Sequence, residues 1–242
     1  MKKLFFTVVV ALLTFNSQAQ NWSNSKKIKG NGNVITKTRS INNFDKVNIG
    51  GSFDVNLVAG TEGKITINGE ENLLPYLETT VKKGKLKVQF KENANIKTTK
   101  RLTVTIPFKS IDAVSLGGSG KVTVHKQLNS NDISFNIGGS GNISASVNSN
   151  TVKTSIGGSG SINLKGKSEN LKCSIAGSGS VKAYNLNVKT VKASIAGSGN
   201  VQTTVTEKIK ASIVGSGSVY YKGNPSNIDN KSVGSGDVVD KN

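Results

Sequence analysis

Residues 190–217 read TVKASIAGSGNVQTTVTEKIKASIVGSG, one phrase of strand, Gly-Ser-Gly and strand begun twice in 28 residues. The same phrase recurs through the C-terminal half, with triplet serines at Ser119, Ser140, Ser159, Ser178, Ser198, Ser216 and Ser235. Their steps are 21, 19, 19, 20, 18 and 19 residues. A fixed period near 19 means one supersecondary unit stacked on itself, the signature of a solenoid.

Within each repeat the apolar residues alternate. Before the triplet the last apolar position holds Leu116, Ile137, Ile156, Ile175, Ile195 and Ile213. Two residues earlier stand Val114, Phe135, Thr154, Cys173, Ala193 and Ala211, and two earlier again Ile133, Val152, Leu171, Val191 and Ile209, with Asp112 the exception. Lys153, Lys172, Lys192 and Lys210 fall between, on the opposite face. Alternation resumes after the triplet, as in Ile143 with Ala145 and Ile162 with Leu164. Period 2 marks a strand buried on one face, and no helical period appears. The reading is an all-β, parallel β-helix-like solenoid with rungs of about 19 residues, stacked about 4.8 Å apart. Stacked glycines allow a corner to pack tightly. Alternation alone leaves open whether the triplet serines face in or out.

The chain begins MKKLFFTVVVALLTFNSQAQ, two lysines followed by an apolar run that ends in Ser17-Gln18-Ala19. This pattern predicts a secretory signal peptide over residues 1–19, hence export across the inner membrane to the periplasm or the cell surface. The run is short for a membrane span, and no later segment reads as one. A polar leader is expected over 20–40, an N-terminal β-rich capping region over 41–110, and the repeat solenoid over 111–242. Within the first part, Gly30-Asn31-Gly32 and Gly50-Gly51-Ser52 look like early degenerate triplets, after which the period lapses until Ser119. Strands are expected at Phe53–Leu57, Lys64–Ile67, Lys85–Val88 and Leu102–Ile106, and a short helical turn at Glu71–Leu77.

Thirty lysines and two arginines against 14 acids give a net charge of +18. Such a surface attracts anions and weakens with salt. Nucleic-acid readers lean on arginine forks and aromatic stacking; Arg39 and Arg101 stand alone here, so nucleic acid is not the expected partner. The column Lys153, Lys172, Lys192 and Lys210 is the candidate anion-binding surface, for an anionic glycan or envelope polymer. The alternative is that these lysines keep a long β surface soluble and guard its edges. The single cysteine, Cys173, cannot form an internal disulfide and sits in a core column.

Catalytic constellations are sparse. Residues 121–220 hold only Asp132, Glu169 and Glu207 as acids, on rungs too far apart for a paired-carboxylate glycosidase. His125 is the only histidine and reads as a surface residue. The triplets lack the acids of calcium-binding nonapeptides, and Gly117–Lys121 lacks Walker spacing. No catalytic residue, metal site or cofactor is expected.

Phe44-Asp45-Lys46-Val47, Gly51-Ser52-Phe53-Asp54-Val55, Asn72-Leu73-Leu74 and Gly84-Lys85-Leu86, followed by the recurring I-G/A-G-S-G turns, resemble the auto-transporter adhesin family with a head GIN domain, over residues 41–236. The resemblance implies a secreted or envelope-facing bacterial protein with a right-handed parallel β-helix-like fold. No translocator barrel is read here, so the transporter part of that name does not carry over. The expected function is a non-enzymatic extracytoplasmic binding protein of adhesin type. The alternatives are a self-assembling structural envelope protein, joined through the terminal rung near Gly234-Ser235-Gly236, and a polysaccharide-processing enzyme.

Overall fold

A computed structural model describes residues 27–242; the expected signal peptide over 1–19 and the start of the leader lie outside the described residues. The repeats form long strands that each turn a corner: β12 (Leu128–Gly139), β13 (Asn142–Gly158), β14 (Ser161–Gly177), β15 (Ser180–Gly197) and β16 (Asn200–Gly215). Each pairs with the next in parallel, and the segment before each triplet keeps its register, so Ile137, Ile156, Ile175, Ile195 and Ile213 stack one above another. The inward side chains build one continuous core.

The triplet has a physical explanation at each glycine. Gly158 has φ +122°, and a Cβ there would lie 2.5 Å from the carbonyl oxygen of Gly139 on the rung below. That carbonyl accepts the amides of Ser159 and Gly160, both at 3.0 Å. Gly160 is buried, and its Cβ would meet Gly141 O and Ile137 Cγ2 at 2.6 Å. The first glycine therefore supplies the left-handed turn and the second the close approach. The serine between them faces solvent in all seven triplets.

The chain before Ser119 reaches the same stack by a different route. β3 (Lys46–Gly50) and β4 (Asp54–Ala59) lie beside β10 (Ala113–Gly118) and β11 (Lys121–Val124) in parallel. On their other side lie β7 (Lys85–Phe90) and β9 (Thr103–Phe108), also parallel. Order in space thus departs from order in sequence. Gly50-Gly51-Ser52 is a true member of the triplet stack: Gly51 N donates to Gly117 O at 2.8 Å, and the Ser119 and Ser52 hydroxyls lie 3.1 Å apart. The 67-residue gap between these serines is the length of the chain that folds back beneath them.

Gly30-Asn31-Gly32 is not a triplet of this kind, contrary to the sequence expectation. Gly30 N donates to Lys97 O and Gly32 N to Glu70 Oε1. Within the span expected as a polar leader, β1 (Lys27–Lys29) pairs with β8 (Asn95–Lys97) and β2 (Val34–Ser40) with β5 (Lys64–Glu70). At this end β5 runs antiparallel to β9, and β6 (Leu77–Lys82) runs antiparallel to β7. The β6–β7 hairpin turns on Lys83 and Gly84, both at positive φ, as its tight turn requires. Glu71–Tyr76 forms a short 3-10 helix. Antiparallel strands cannot continue the parallel coil, so they end it.

The far end closes by side-chain chemistry. β18 (Asn227–Val233) and β19 (Val238–Asp240) make the last rung, laid on β16 and on β17 (Ser218–Lys222) respectively. Register puts Asn230 and Ser232 in the columns that hold Ala211 and Ile213 one rung earlier. Asn230 Nδ2 donates to Asp237 Oδ1 at 2.8 Å, and Ser232 Oγ donates to Gly236 O. The rung near Gly234–Gly236 therefore ends in polar groups with partners.

Candidate functional site

Lys153, Lys172, Lys192 and Lys210 come together as expected. They are direct neighbours across β13 to β16 and all are exposed. Four cations at a strand spacing of about 4.8 Å span roughly 14 Å. Acids meet only the ends of this row. Asp132 lies 3.2 Å from Lys153, and Asp229 lies 3.5 Å from Lys210. Among the described residues Lys172 and Lys192 have no carboxylate partner.

The surface beside the row is flat. Ser155, Ser174, Ser194 and Ser212 form the next outward column, also exposed and in register. Beyond them the column Gly157, Ala176, Ala196, Val214 and Val233 grows in size along the axis. Val214 and Val233 are 58% and 71% exposed. From β13 to β15 a linear partner laid along this face would meet only serine, glycine and alanine beside the lysines.

Cys173 is buried in its core column, and burial pushes its thiol up to about 12. Such a thiol is unreactive in the folded chain. His125 is exposed just past β11, its ring Nε2 2.9 Å from Asn56 Oδ1. Asp132 and Glu169 are each engaged by a lysine, Lys153 and Lys189. Among the described residues no group of three or more His, Cys, Asp or Glu side chains gathers as a metal would require.

Sequence reasoning missed Glu70. Burial pushes its carboxyl up, but the Thr99 hydroxyl and amide, the Lys100 amide and the Gly32 amide all donate to it and hold it at about 2. The charge is spent on joining three segments, the β1–β2 turn, the end of β5 and the loop 98–100. Only the spatial return of the loop to the strand end makes this visible. Arg39 likewise donates to the Leu74 and Leu77 carbonyls and braces the 3-10 helix.

No functionally curated protein matches the chain. Solved structures do. An adhesin of Bacteroides fragilis NCTC 9343, so described with the qualifier "putative", superposes with a TM-score of 0.81 at 23% identity, covering 88% of this chain and 100% of that one. A protein of Parabacteroides distasonis ATCC 8503 described as a "putative lipid binding protein" gives a TM-score of 0.77 at 28% identity, covering 90% and 100%. An adhesin of Parabacteroides merdae ATCC 43184, with the same qualifier, gives 0.67 at 29% identity, covering 89% and 99%. The triplet stack, the folded-back N-terminal strands and the match of residues 43–225 to one family model agree: the chain belongs to the family described as "Putative auto-transporter adhesin, head GIN domain".

Proposed function

We propose that this protein is a non-enzymatic, exported binding protein of adhesin type whose lysine row engages a repetitive anionic partner of the cell envelope or of a surface. The observation that carries this reading is the register of Lys153, Lys172, Lys192 and Lys210 on a flat face. Like charges held at strand spacing repel one another. A chain of anionic groups lying across them relieves that repulsion and releases counterions, so affinity would fall with salt. Membership of the adhesin family supports the class of function. Export rests on the N-terminal lysines and apolar run. No helix among the described residues is long and apolar enough to cross a membrane.

A second reading has its own observation. Exposed Val214 and Val233 lie at the end of the same face as Lys210, a pairing suited to an anionic lipid surface. The relative described as lipid-binding, at 28% identity, favours that arm. One experiment separates the two. The double variant Lys172→Glu/Lys192→Glu should lose most binding to long polyanions such as polygalacturonate and dextran sulfate, with a shallower salt slope. Unchanged binding would sink the proposal. Binding to anionic vesicles that depends on Val214, with none to soluble polyanions, would move the function to the lipid reading.

A further inference from the structure

The opposite arm of the coil, after the triplet, carries a feature that the lysine row does not explain. A groove of about 760 Å³ runs over its outer face from β11 to β16. Its wall includes Asn163, Lys165, Lys182, Tyr184, Asn185 and Gln202, and no carboxylate lines it. Two lysines, amides and an aromatic ring in a concavity free of acids match an acidic, hydroxyl-rich ligand.

The groove lies where the repeat breaks its own rule. Asn163 pairs with Lys182, but Lys165 pairs with Asn185, so β15 carries one extra residue at this point. On the other side the pairing with β16 jumps from Ala183–Thr203 to Asn187–Thr204. The steps of 20 and 18 residues in the triplet spacing are the trace of this bulge in the sequence. Bulges re-aim side chains, and this one puts Tyr184 in the groove wall.

The bulge is held in place from the next rungs. Thr204 Oγ1 donates to the Tyr184 carbonyl at 2.8 Å, and the Lys222 ammonium sits 5.3 Å from the Tyr184 ring centre. The backbone of the bulge is thus tied to the next rung before any ligand arrives, which lowers the ordering cost of binding.

We infer that this groove is a saccharide site for a short acidic glycan segment, with Tyr184 as the platform under one sugar ring, Lys165 and Lys182 as partners of its carboxylate or sulfate groups, and Asn163, Asn185 and Gln202 as partners of its hydroxyls. The inference stands apart from the lysine row, which lies on the other arm.

Titration calorimetry of the full mature chain at 150 mM salt tests it, with tetrasaccharides of galacturonate, hyaluronate and heparin and with methyl-esterified tetragalacturonate as the neutral control. At least one acidic tetramer should bind, and the ester should bind about tenfold more weakly or worse. Tyr184→Ala and Lys182→Glu should each weaken the acidic ligand by about tenfold, while Lys172→Glu/Lys192→Glu leaves it unchanged. Lys182 is exposed, so its variant decides the matter if Tyr184→Ala fails to fold. Failure of all three acidic tetramers to bind overturns the inference. So does equal binding of the ester, or binding lost in the row variant and kept in both groove variants. Loss of polyanion binding in the row variant alone bears only on the proposed function.

Discussion

From Asn142 to Gly217 each rung rests on a near copy of itself, whereas the rungs before Ser119 rest on strands of unrelated sequence. Both regions use the same two ladders. They differ in what holds neighbours together. In the repeats, identical positions meet: isoleucine on isoleucine, glycine on glycine, lysine on lysine. Stability there follows from packing and backbone bonds that any rung could supply to any other, as in other solenoids. In the N-terminal region, single side chains with several partners make the joins, Glu70 and Arg39 above all. A repeated join tolerates sequence drift; a unique join does not.

Four substitutions probe the difference between the two regions. The largest effect is expected for Phe135→Ala. Phe135 is fully buried in the column that continues as Thr154, Cys173 and Ala193, so its loss leaves a cavity costing about 3–5 kcal/mol. Urea midpoints would read the loss, and faster labelling of the buried Cys173 thiol would report that the repeats open. Labelling unchanged despite a lowered midpoint would show that rungs open singly and not together.

Next comes Gly177→Ala. The residue has φ +121°, and its Cβ would sit 2.5 Å from Gly158 O. Strain and the clash together should cost about 3 kcal/mol. Gly157, one turn earlier in the same motif, meets nothing closer than 3.9 Å and has no positive φ. Gly157→Ala should therefore change stability by about 0.5 kcal/mol or less, which makes it the smallest effect of the set. If the two alanine variants melted alike, the left-handed turn at the first triplet glycine would not be what requires glycine there.

Between these lies Glu70→Gln, expected to cost about 1–3 kcal/mol by replacing an acceptor of several hydrogen bonds with a group that is itself a donor. Its pH dependence has a definite sign. The folded carboxyl is lowered to about 2 from an ordinary 4.5, so its contribution is full above 4.5 and is lost as pH falls toward 2. Protection factors of the Thr99 and Lys100 amides against hydrogen exchange should fall through that window in the native chain. In Glu70→Gln they should already be low at neutral pH. Repeat-region amides such as Ser178 should stay protected in both. Loss of protection there as well would mean that the two regions unfold as one unit.

Much of the candidate lysine surface was legible in the sequence, because a parallel in-register coil turns a fixed period into a column. Lys153, Lys172, Lys192 and Lys210 needed only the assumption that equal repeat positions stack. The groove was not legible, although its cause was visible as steps of 20 and 18 residues among steps of 19. A length change tells that a bulge exists somewhere in a rung, not which residue it turns outward; that depends on which pairings the neighbouring rungs keep.

The chain by itself determined the repeat, the inward and outward faces, and the need for glycine at the turn, because these follow from side-chain period and backbone sterics within one rung. Tertiary structure alone decided three further things. It set Gly50-Gly51-Ser52 beneath Gly117-Gly118-Ser119 across 67 residues of intervening chain. It placed the triplet serines on the solvent side of the turn. It also closed the two ends by different means, antiparallel strands with the Glu70 clasp at one and polar residues in the core columns at the other. Each depends on contacts between segments distant in sequence, whose pairing is selected by the burial of the whole stack and not by any local preference.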